Sequence, residues 1–447
     1  MTAWRILASS VLVFVAACGA RAQTYTLAET PRAGDCFQIQ LDMKLRGEIR
    51  VRKDDRWIAL PLQARAQHVF PERILDMGLL GLPQRVARYY ETAHAVIQRG
   101  KETSERSLRA ERRLLVADHG KDPFLVYCPA GSLTRQELEL TSEHFDTLAL
   151  LGILPGKAVA VGDTWKIPNT VVQALCGFEG LTAQDLTGKL VQVENQIAQI
   201  TVTGTASGID TGALVKVTVE VSGSFDLSSK HLTSLSWKQK DERDQGPASP
   251  ASTVETTTTL QRSLVDLPTT LSDVALISVP EKGAEVPASM VQLGYDDPKS
   301  RFELTYARGW QVVGQTDERL VLRLMDRGDL VAQATITPWP AAKAGEHMTA
   351  DAFREQMGAT PGWEDESDQP DAGSARTDER GYWIYHFTAV GRMDGVPVMQ
   401  IFYLVSGPEG QQTVVVITLN RNEAEKLGSR DVTLVSGLHY PAKQSAP

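Results

Sequence analysis

The chain has 447 residues, enough for two or three domains, and its apolar (42%) and charged (23%) fractions are those of an ordinary globular protein. The formal charge is −9, because 55 acidic side chains outnumber 46 basic ones. This balance argues against a nucleic-acid-binding protein, which needs a concentrated basic face.

The first 22 residues have the pattern of a secretory signal peptide. Arg5 gives a positive start, and residues 6–17 form an uncharged, mostly apolar run. Small residues at the two positions that signal peptidase reads predict cleavage before Gln23, and hence a secreted or periplasmic protein. The run is shorter than the ~20 residues that span a bilayer, and no later stretch is long and apolar enough, so we expect no transmembrane segment in the mature chain.

A second processing route stays open at the same end of the chain. Residues 15–18 read Val-Ala-Ala-Cys and resemble a bacterial lipobox, in which Cys18 becomes a lipid-modified N-terminus anchored to the membrane. After either route Cys36, Cys128 and Cys176 remain, so at most one intramolecular disulfide can form among them. Their spacing fits no zinc pattern.

Residues 24–267 are predicted to form a first domain built on an antiparallel sheet. Apolar and polar side chains alternate from Phe37 to Leu45 and again from Ile58 to Ala66, which predicts the two strands of a hairpin. Five more strands are predicted between residues 190 and 261, the fourth ending at Lys240 before a loop over residues 241–252, and their short connections favour a meander. We predict an α+β protein whose first domain is a curled sheet, or half-barrel, around a few helices.

Two helices are predicted inside this domain. One begins at Thr141 or Ser142 and ends at Gly152, and the other has Asn169 as its cap and runs towards Leu175. A sheet curled around helices in this way resembles the LolA and LolB class of lipoprotein carriers.

The connection between the two helices carries a short motif. Pro155-Gly156 and Gly162-Asp163-x-Trp165 are similar to a segment of exported bacterial proteins of unknown function. Gly-Asp predicts a tight turn and Trp165 a core anchor, so the motif implies no catalytic residue.

Residues 268–299 are rich in Pro, Ser and Asp and are predicted to be an extended linker. A second domain is predicted over residues 300–441, followed by a disordered tail at 442–447. Thr349 can cap a helix within this domain. A capping pattern of Asn422 with Glu425 predicts a final helix that ends at Gly437.

The second domain resembles the PsbP-like family over residues 300–441. The resemblance rests on Phe302-x-Leu-x-Tyr306-x-x-Gly309-Trp310, followed by strands, a helix, a three-stranded meander and a C-terminal helix. It implies an α/β/α sandwich and a non-enzymatic accessory role through partner binding. Ala307 stands where the family often has Pro, and the family carries no catalytic residues over to this chain.

Patterns that carry chemistry are few. The eight histidines are scattered, and the sequence contains no zinc-helix, nucleophile-elbow or phosphate-loop motif. The arginine-rich residues 106–113 alternate like a solvated strand, and the acidic residues 364–371 are typical of a solvated loop rather than a calcium site. We therefore expect no enzyme, no cofactor, and no catalytic, cofactor-binding or metal-binding residue.

Two functions remain open on this evidence. The first is a non-enzymatic cell-envelope protein that binds a protein partner through its second domain. The alternative is a carrier of lipid or another apolar ligand in the curved sheet of the first domain. The alternative needs an open concavity, and a concavity filled by Phe145, Leu148 and Trp165 would count against it.

Overall fold

The computed structural model describes residues 23–53, 56–79, 81–120, 124–142, 145–210, 212–247, 249–367 and 371–441. The predicted signal peptide, with Cys18, and the predicted disordered tail lie outside these residues.

Strands dominate the chain up to residue 265. In chain order they are β1 (Thr24–Thr26), β2 (Cys36–Lys53), β3 (Arg56–Met77), β4 (Pro83–Tyr89), β5 (Thr92–Arg99), β6 (Glu102–Ser107), β7 (Leu114–Asp118), β8 (Leu125–Tyr127), β9 (Leu133–Thr134), β10 (Ala158–Ala160), β11 (Thr164–Lys166), β12 (Gly180–Gln184), β13 (Thr187–Glu194), β14 (Ile197–Asp210), β15 (Ala213–Asp226), β16 (His231–Arg243) and β17 (Ala251–Val265). The helices among them are α1 (Arg135–Ser142) and α2 (Asn169–Leu175), with 3-10 turns at Ala110–Arg112 and Leu150–Ile153.

Fourteen of these strands form one large antiparallel sheet. Its order is β11-β13-β14-β15-β16-β17-β2-β3-β4-β7-β8, with β12 on β14, β5 on β3 and β6 on β5. The order runs from one edge strand to another, so the sheet is open. The predicted meander between residues 190 and 261 is confirmed. Its last strand, β17, pairs with β2, so strands that are far apart in sequence are neighbours in the sheet.

The first hairpin is confirmed and is unusually long. β2 has 18 residues and β3 has 22, against about 5–6 in a typical strand. The two strands pair from Cys36 opposite Arg73 to Lys53 opposite Arg56. The hairpin therefore extends well beyond the part of the sheet on which the helices pack.

The prediction that a helix begins at Thr141 or Ser142 is wrong, because α1 ends at these residues. The Thr141 and Ser142 hydroxyls donate to the Glu137 and Leu138 carbonyls one turn back. The helix is started instead by a capping box, in which the Glu137 amide donates to the Thr134 hydroxyl (3.2 Å) and the Thr134 amide donates to the Glu137 carboxylate (2.8 Å).

The cap predicted for the second helix is also wrong. Pro168 occupies the N-cap position and Asn169 is the first helical residue. The Asn169 side chain accepts a hydrogen bond from the Gln184 amide at 2.8 Å, so it joins α2 to β12 rather than capping the helix.

The rest of the chain forms a second layered region. Its strands are β18 (Leu293–Asp296), β19 (Glu303–Tyr306), β20 (Trp310–Gln315), β21 (Leu320–Asp326), β22 (Asp329–Trp339), β23 (Trp363–Asp365), β24 (Ser374–Thr377), β25 (Trp383–Met393), β26 (Val396–Ser406), β27 (Gln412–Leu419) and β28 (Leu438–His439). Its helices are α3 (Ala288–Val291), α4 (Ala350–Gly358), α5 (Ala424–Leu427) and α6 (Arg430–Ser436).

Eight of these strands make an antiparallel sheet between helices. The order is β20-β21-β22-β27-β26-β25-β23, with β24 on β25. The Thr349 cap of α4 is confirmed, and Phe353 of α4 packs on one face of the sheet. On the other face the Tyr403 hydroxyl donates to Asp431 of α6 at 2.7 Å.

The prediction of the final helix is correct at its end, Gly437, but wrong at its start, Asn422. Asn420, not Asn422, is the capping side chain, and Gly428 with a positive φ of 56° separates α5 from α6. Gly437 is the C-cap of α6, as expected.

Residues 268–299 carry structure of their own. They contain a 3-10 turn (Thr269–Leu271), α3 and β18. β18 pairs antiparallel with β19 and parallel with β9, so one small sheet includes strands from both sides of this range. The Arg308 guanidinium adds to this connection by donating to the Val126 and Val291 carbonyls.

Within the described part of the chain, no helix combines the length and the apolar character needed to cross a membrane.

Candidate ligand-binding surface

One face of the large sheet, called here the inner face, carries most of its apolar side chains. Residues directly opposite each other on neighbouring strands point to the same side, so the register defines rows across this face. The first row, from β15 to β5, is Val221, Trp237, Thr258, Met43, Ala66 and Ala95. The second row is Val219, Gln239, Thr256, Leu45, Ala64 and Ile97. The third row is Val217, Asp241, Val254, Gly47, Leu62 and Arg99.

The part of the inner face on β14 and β15, the covered half, is filled by residues 145–178. Phe145, Leu148 and Trp165 are all buried there. The Phe145 ring meets the Trp237 ring edge-on with 5.7 Å between centroids, and the Trp165 indole donates to the Ile153 carbonyl at 2.8 Å. An empty concavity was the condition for a carrier, and over this half that condition fails.

A buried polar network fastens the filling segment to the sheet. The Arg88 guanidinium donates to Glu72 (2.9 Å) and to the Thr147 hydroxyl (2.7 Å), and that hydroxyl donates in turn to Glu72. Burial acts against the Arg88 charge, but the Glu72 carboxylate outweighs it and raises the pKa of Arg88. Beside this network, His119 is hydrogen-bonded to the Asp146 carboxylate.

The part of the inner face on β17, β2, β3 and β5, the open half, keeps contact with solvent. Its half-buried apolar side chains are Met43, Leu45, Ile49, Val51, Leu60, Leu62, Ala64, Ala66, Ile97 and Val254. Towards the tip of the hairpin, Ile58 is 37% exposed. The same rows therefore contain buried valines on β15 and solvent-accessible apolar side chains on β2 and β3.

A shallow depression of about 480 Å³ is lined mainly by outer-face residues, among them Arg46, Gln63, Lys240 and Glu255, so it does not belong to the open half. Gly47 also borders it. A β-carbon added at Gly47 would stand 2.2 Å from the Thr253 carbonyl oxygen, a distance that side chains do not tolerate. Glycine therefore permits this approach and leaves the third row without a side chain at that point.

Three residues of β16 form a polar strip between the two halves. The Trp237 indole donates to the Gln239 amide oxygen at 2.8 Å, and the Gln239 amide nitrogen donates to Asp241 at 2.7 Å. Burial raises the pKa of Asp241 to about 6, partly offset by the Gln239 hydrogen bond. The predicted strand ends at Lys240, whereas β16 continues to Arg243 and so includes Asp241.

The outer face of the same strands is charged. Lys44, Arg46 and Glu255 are exposed there, and Arg46 pairs with Glu255 at 2.7 Å. Exposed pairs of this kind contribute about 0–1 kcal/mol, so they act mainly to keep this face in water. The open half is consequently the apolar side of a sheet with one polar side.

The three cysteines that could form a disulfide are free thiols. Cys36 and Cys128 are buried, and Cys176, at the end of α2, is half-buried. Burial raises the pKa of all three thiols, and that of Cys176 to about 12. Thiols with raised pKa values are poor nucleophiles, which fits a packing role.

The arginine-rich segment at 106–113 is not a solvated strand, contrary to the sequence-based interpretation. β6 ends at Ser107 and a 3-10 turn follows. Arg106 pairs with Glu139 at 2.6 Å, and Arg109 pairs with Glu137 at 2.7 Å. These contacts with acidic side chains of α1 hold that helix against the sheet.

The acidic segment at 364–371 is occupied by local contacts. Glu366 pairs with Arg392 at 2.8 Å, and the Asp371 carboxylate accepts the Thr388 and Gly373 amides. Among the residues that the structure describes, no three His, Cys, Asp or Glu side chains are grouped so as to hold a metal ion. Asp368 lies outside the described residues.

No protein-family model and no curated protein sequence matches the chain. Solved structures do resemble parts of it. The PsbP protein of the cyanobacterium Synechocystis is 16% identical and aligns over 36% of this chain and 99% of its own, with a TM-score of 0.25. The Ran-binding protein Mog1p of Saccharomyces cerevisiae is 11% identical over 33% of this chain and 95% of its own, with a TM-score of 0.24.

A third structure resembles a larger part of the chain. Lipovitellin, solved for its lipid–protein interactions, is 8% identical over 59% of this chain and 27% of its own, with a TM-score of 0.29. TM-scores this low carry no argument about function. The conclusions below therefore depend on the geometry of this chain.

Proposed function

We propose that this protein is a non-enzymatic, exported binding protein that holds the alkyl chain of a lipid or another amphiphile on the open half of the inner face. The main observation behind the proposal is that side chains in one row differ in their solvent exposure. Val219 is buried, whereas Leu45 and Ala64 in the same row remain half exposed. Contiguous exposed apolar surface is characteristic of binding sites.

The shape of the open half favours a chain-like ligand over a compact one. The open half runs across β17, β2, β3 and β5, which is three inter-strand steps of about 4.8 Å, or roughly 14 Å in all. The surface is a shallow strip of that length with side chains from several strands on its floor. An extended alkyl chain matches such a strip, while a compact ligand would need an enclosed pocket.

The experiment is a titration of the purified protein with dodecyl maltoside, below its critical micelle concentration, followed by calorimetry. Each methylene buried from water contributes about 0.8 kcal/mol at most, so decyl maltoside should bind about fourfold to fifteenfold more weakly, depending on how deeply the chain lies. Binding that does not depend on chain length would contradict the proposal.

A matched pair of variants locates the site. Leu45→Asp places a charge in the open half and should abolish dodecyl binding, while Lys44→Asp, on the outer face of the same strand, should leave it unchanged. Circular dichroism confirms that both variants are folded, and Leu45→Ser replaces Leu45→Asp if the latter is not. Equal effects of the two substitutions would place the binding elsewhere.

Protein-partner binding is the second candidate, and residues 268–299, called here the connecting segment, favour it. Val274 is 81% exposed and Ile277 is 86% exposed. They lie three residues apart in a turn closed by the hydrogen bond from the Ile277 amide to the Val274 carbonyl. The Arg73 guanidinium donates to the nearby Leu271 carbonyl at 2.8 Å, so the turn is held against the sheet.

Cross-linking in envelope extract separates this second candidate from the first. The full chain should capture one defined protein, and a Val274→Ser/Ile277→Ser variant should lose it while Leu45→Asp retains it. Capture that survives the double substitution would remove the connecting segment as the partner surface.

Export is the part of the proposal that rests on the first 22 residues alone. N-terminal sequencing of the protein from its host should give Gln23 as the first residue. A lipid-modified Cys18 would support the alternative route, and an intact Met1 would contradict export.

A further inference from the structure

We infer that Asp241 is a binding residue for the head of the ligand, and that the amphiphile held on the open half carries a protonated amine. This inference rests on the proposed function and names the ligand class of the same site. Asp241 stands in the third row, between Val217 of β15 and Val254 of β17. It is thus an acidic side chain with a valine on each neighbouring strand, at the start of the open half.

The carboxylate is poorly compensated by its surroundings. The uncharged Gln239 amide donates to one of its oxygens at 2.7 Å. The guanidinium two residues further along the same face, Arg243, is paired with Asp210. Cys176 lies close enough to interact electrostatically with Asp241, and its high pKa keeps that thiol neutral. Asp241 is half-buried, and a carboxylate withdrawn from water is costly unless a cation or several donors satisfy it.

The negative charge of Asp241 therefore favours a ligand with a positively charged head group. A primary ammonium group offers three donors and a positive charge, and hydrogen bonds to charged partners are the strong ones. From Asp241 the alkyl chain can extend along the third row across Val254, Gly47 and Leu62.

The experiment uses three dodecyl probes that differ only in the head: dodecylammonium, dodecanol and dodecanoate, each titrated at pH 7.5 below its aggregation limit. Dodecylammonium should bind about tenfold more tightly than dodecanol, and dodecanoate more weakly than both. Asp241→Asn keeps the size and the Gln239 hydrogen bond but removes the charge, so this variant should bind dodecylammonium and dodecanol equally. Glu242→Gln, on the exposed outer face of the same strand, is the matched control and should keep the tenfold preference.

The outcomes separate this inference from the proposed function. If all three probes bind the unmodified protein equally, or if Asp241→Asn keeps the preference, the Asp241 inference is overturned while the alkyl site stands. If none of the probes binds, the proposed function itself fails. If Glu242→Gln loses the preference as fully as Asp241→Asn, the effect is one of overall charge and the inference is again overturned.

Discussion

The covered and open halves of the inner face lie in the same rows of one sheet, yet one is core and the other is surface. On β15, Val217 and Val219 are buried under residues 145–178. On β2 and β3, Leu45 and Leu62 in the same rows are half exposed. Apolar alternation thus shows which face of a sheet avoids water, while the chain packed above it decides whether that face is core or binding surface.

The largest effect on stability is expected in the buried network that fastens residues 145–178 to the sheet. Glu72→Ala removes the carboxylate that Arg88 and Thr147 contact and leaves a buried guanidinium unpaired. We expect the free energy of unfolding to fall by about 3–5 kcal/mol. Urea denaturation measures the change, and a loss below about 1 kcal/mol would mean that the network does not fasten the segment.

A matched pair of leucines compares the two halves directly. Leu148 is 1% exposed in the covered half, so Leu148→Ala should cost about 2–5 kcal/mol of unfolding free energy. Leu45→Ala in the open half should cost less than about 1.5 kcal/mol, because its side chain is already partly in water. The same denaturation experiment serves both variants, and equal costs would mean that the open half is core as well.

Asp241, at the boundary between the halves, should make the free energy of unfolding depend on pH. The pKa of Asp241 is raised to about 6 in the folded chain, so the folded state holds the proton more tightly than the unfolded state. Its stabilising contribution is present below its ordinary pKa of about 3.9 and is lost as the pH rises through about 6. Relative to Asp241→Asn, the unmodified protein should lose about 2 kcal/mol between pH 4 and pH 7.

Urea denaturation of both proteins at several pH values measures that difference. Other carboxyl groups titrate equally in the two proteins and cancel in the comparison. A difference that is constant from pH 4 to pH 7 would show that Asp241 has an ordinary pKa and is well solvated.

The smallest effect is expected on the outer face. Glu255→Gln breaks the exposed pair with Arg46 and should change the free energy of unfolding by less than about 1 kcal/mol. Dodecyl affinity should not change either. A clear loss of dodecyl affinity would mean that the polar side of the sheet takes part in binding.

Much of the sheet could be predicted from period-two alternation. The hairpin from Phe37 to Ala66 and the meander up to residue 261 follow from side-chain parity, since a strand with one buried face must alternate. The capping box of Thr134 and Glu137 was also visible in the sequence. Thr141 and Ser142, the predicted caps, instead bond backwards inside the helix through their hydroxyls.

The candidate site could not be predicted in the same way. Whether Leu45 is core or surface depends on where residues 145–178 pack, and that contact spans about a hundred residues of sequence. The polar residues and Pro247 that follow Asp241 predict a loop there, although β16 continues to Arg243. Asp241 stands out only because the register places it between Val217 and Val254, and the register is not visible in the sequence.

The most direct test of the central claim is to map where an alkyl chain lies. A dodecyl maltoside analogue with a photoreactive diazirine at the chain terminus is bound and irradiated, and the labelled peptides are identified by mass spectrometry. We expect the label on residues 36–66 and 92–99, where β2, β3 and β5 form the open half. Label on residues 145–178 or 300–441 instead, or spread evenly over the chain, would contradict the account.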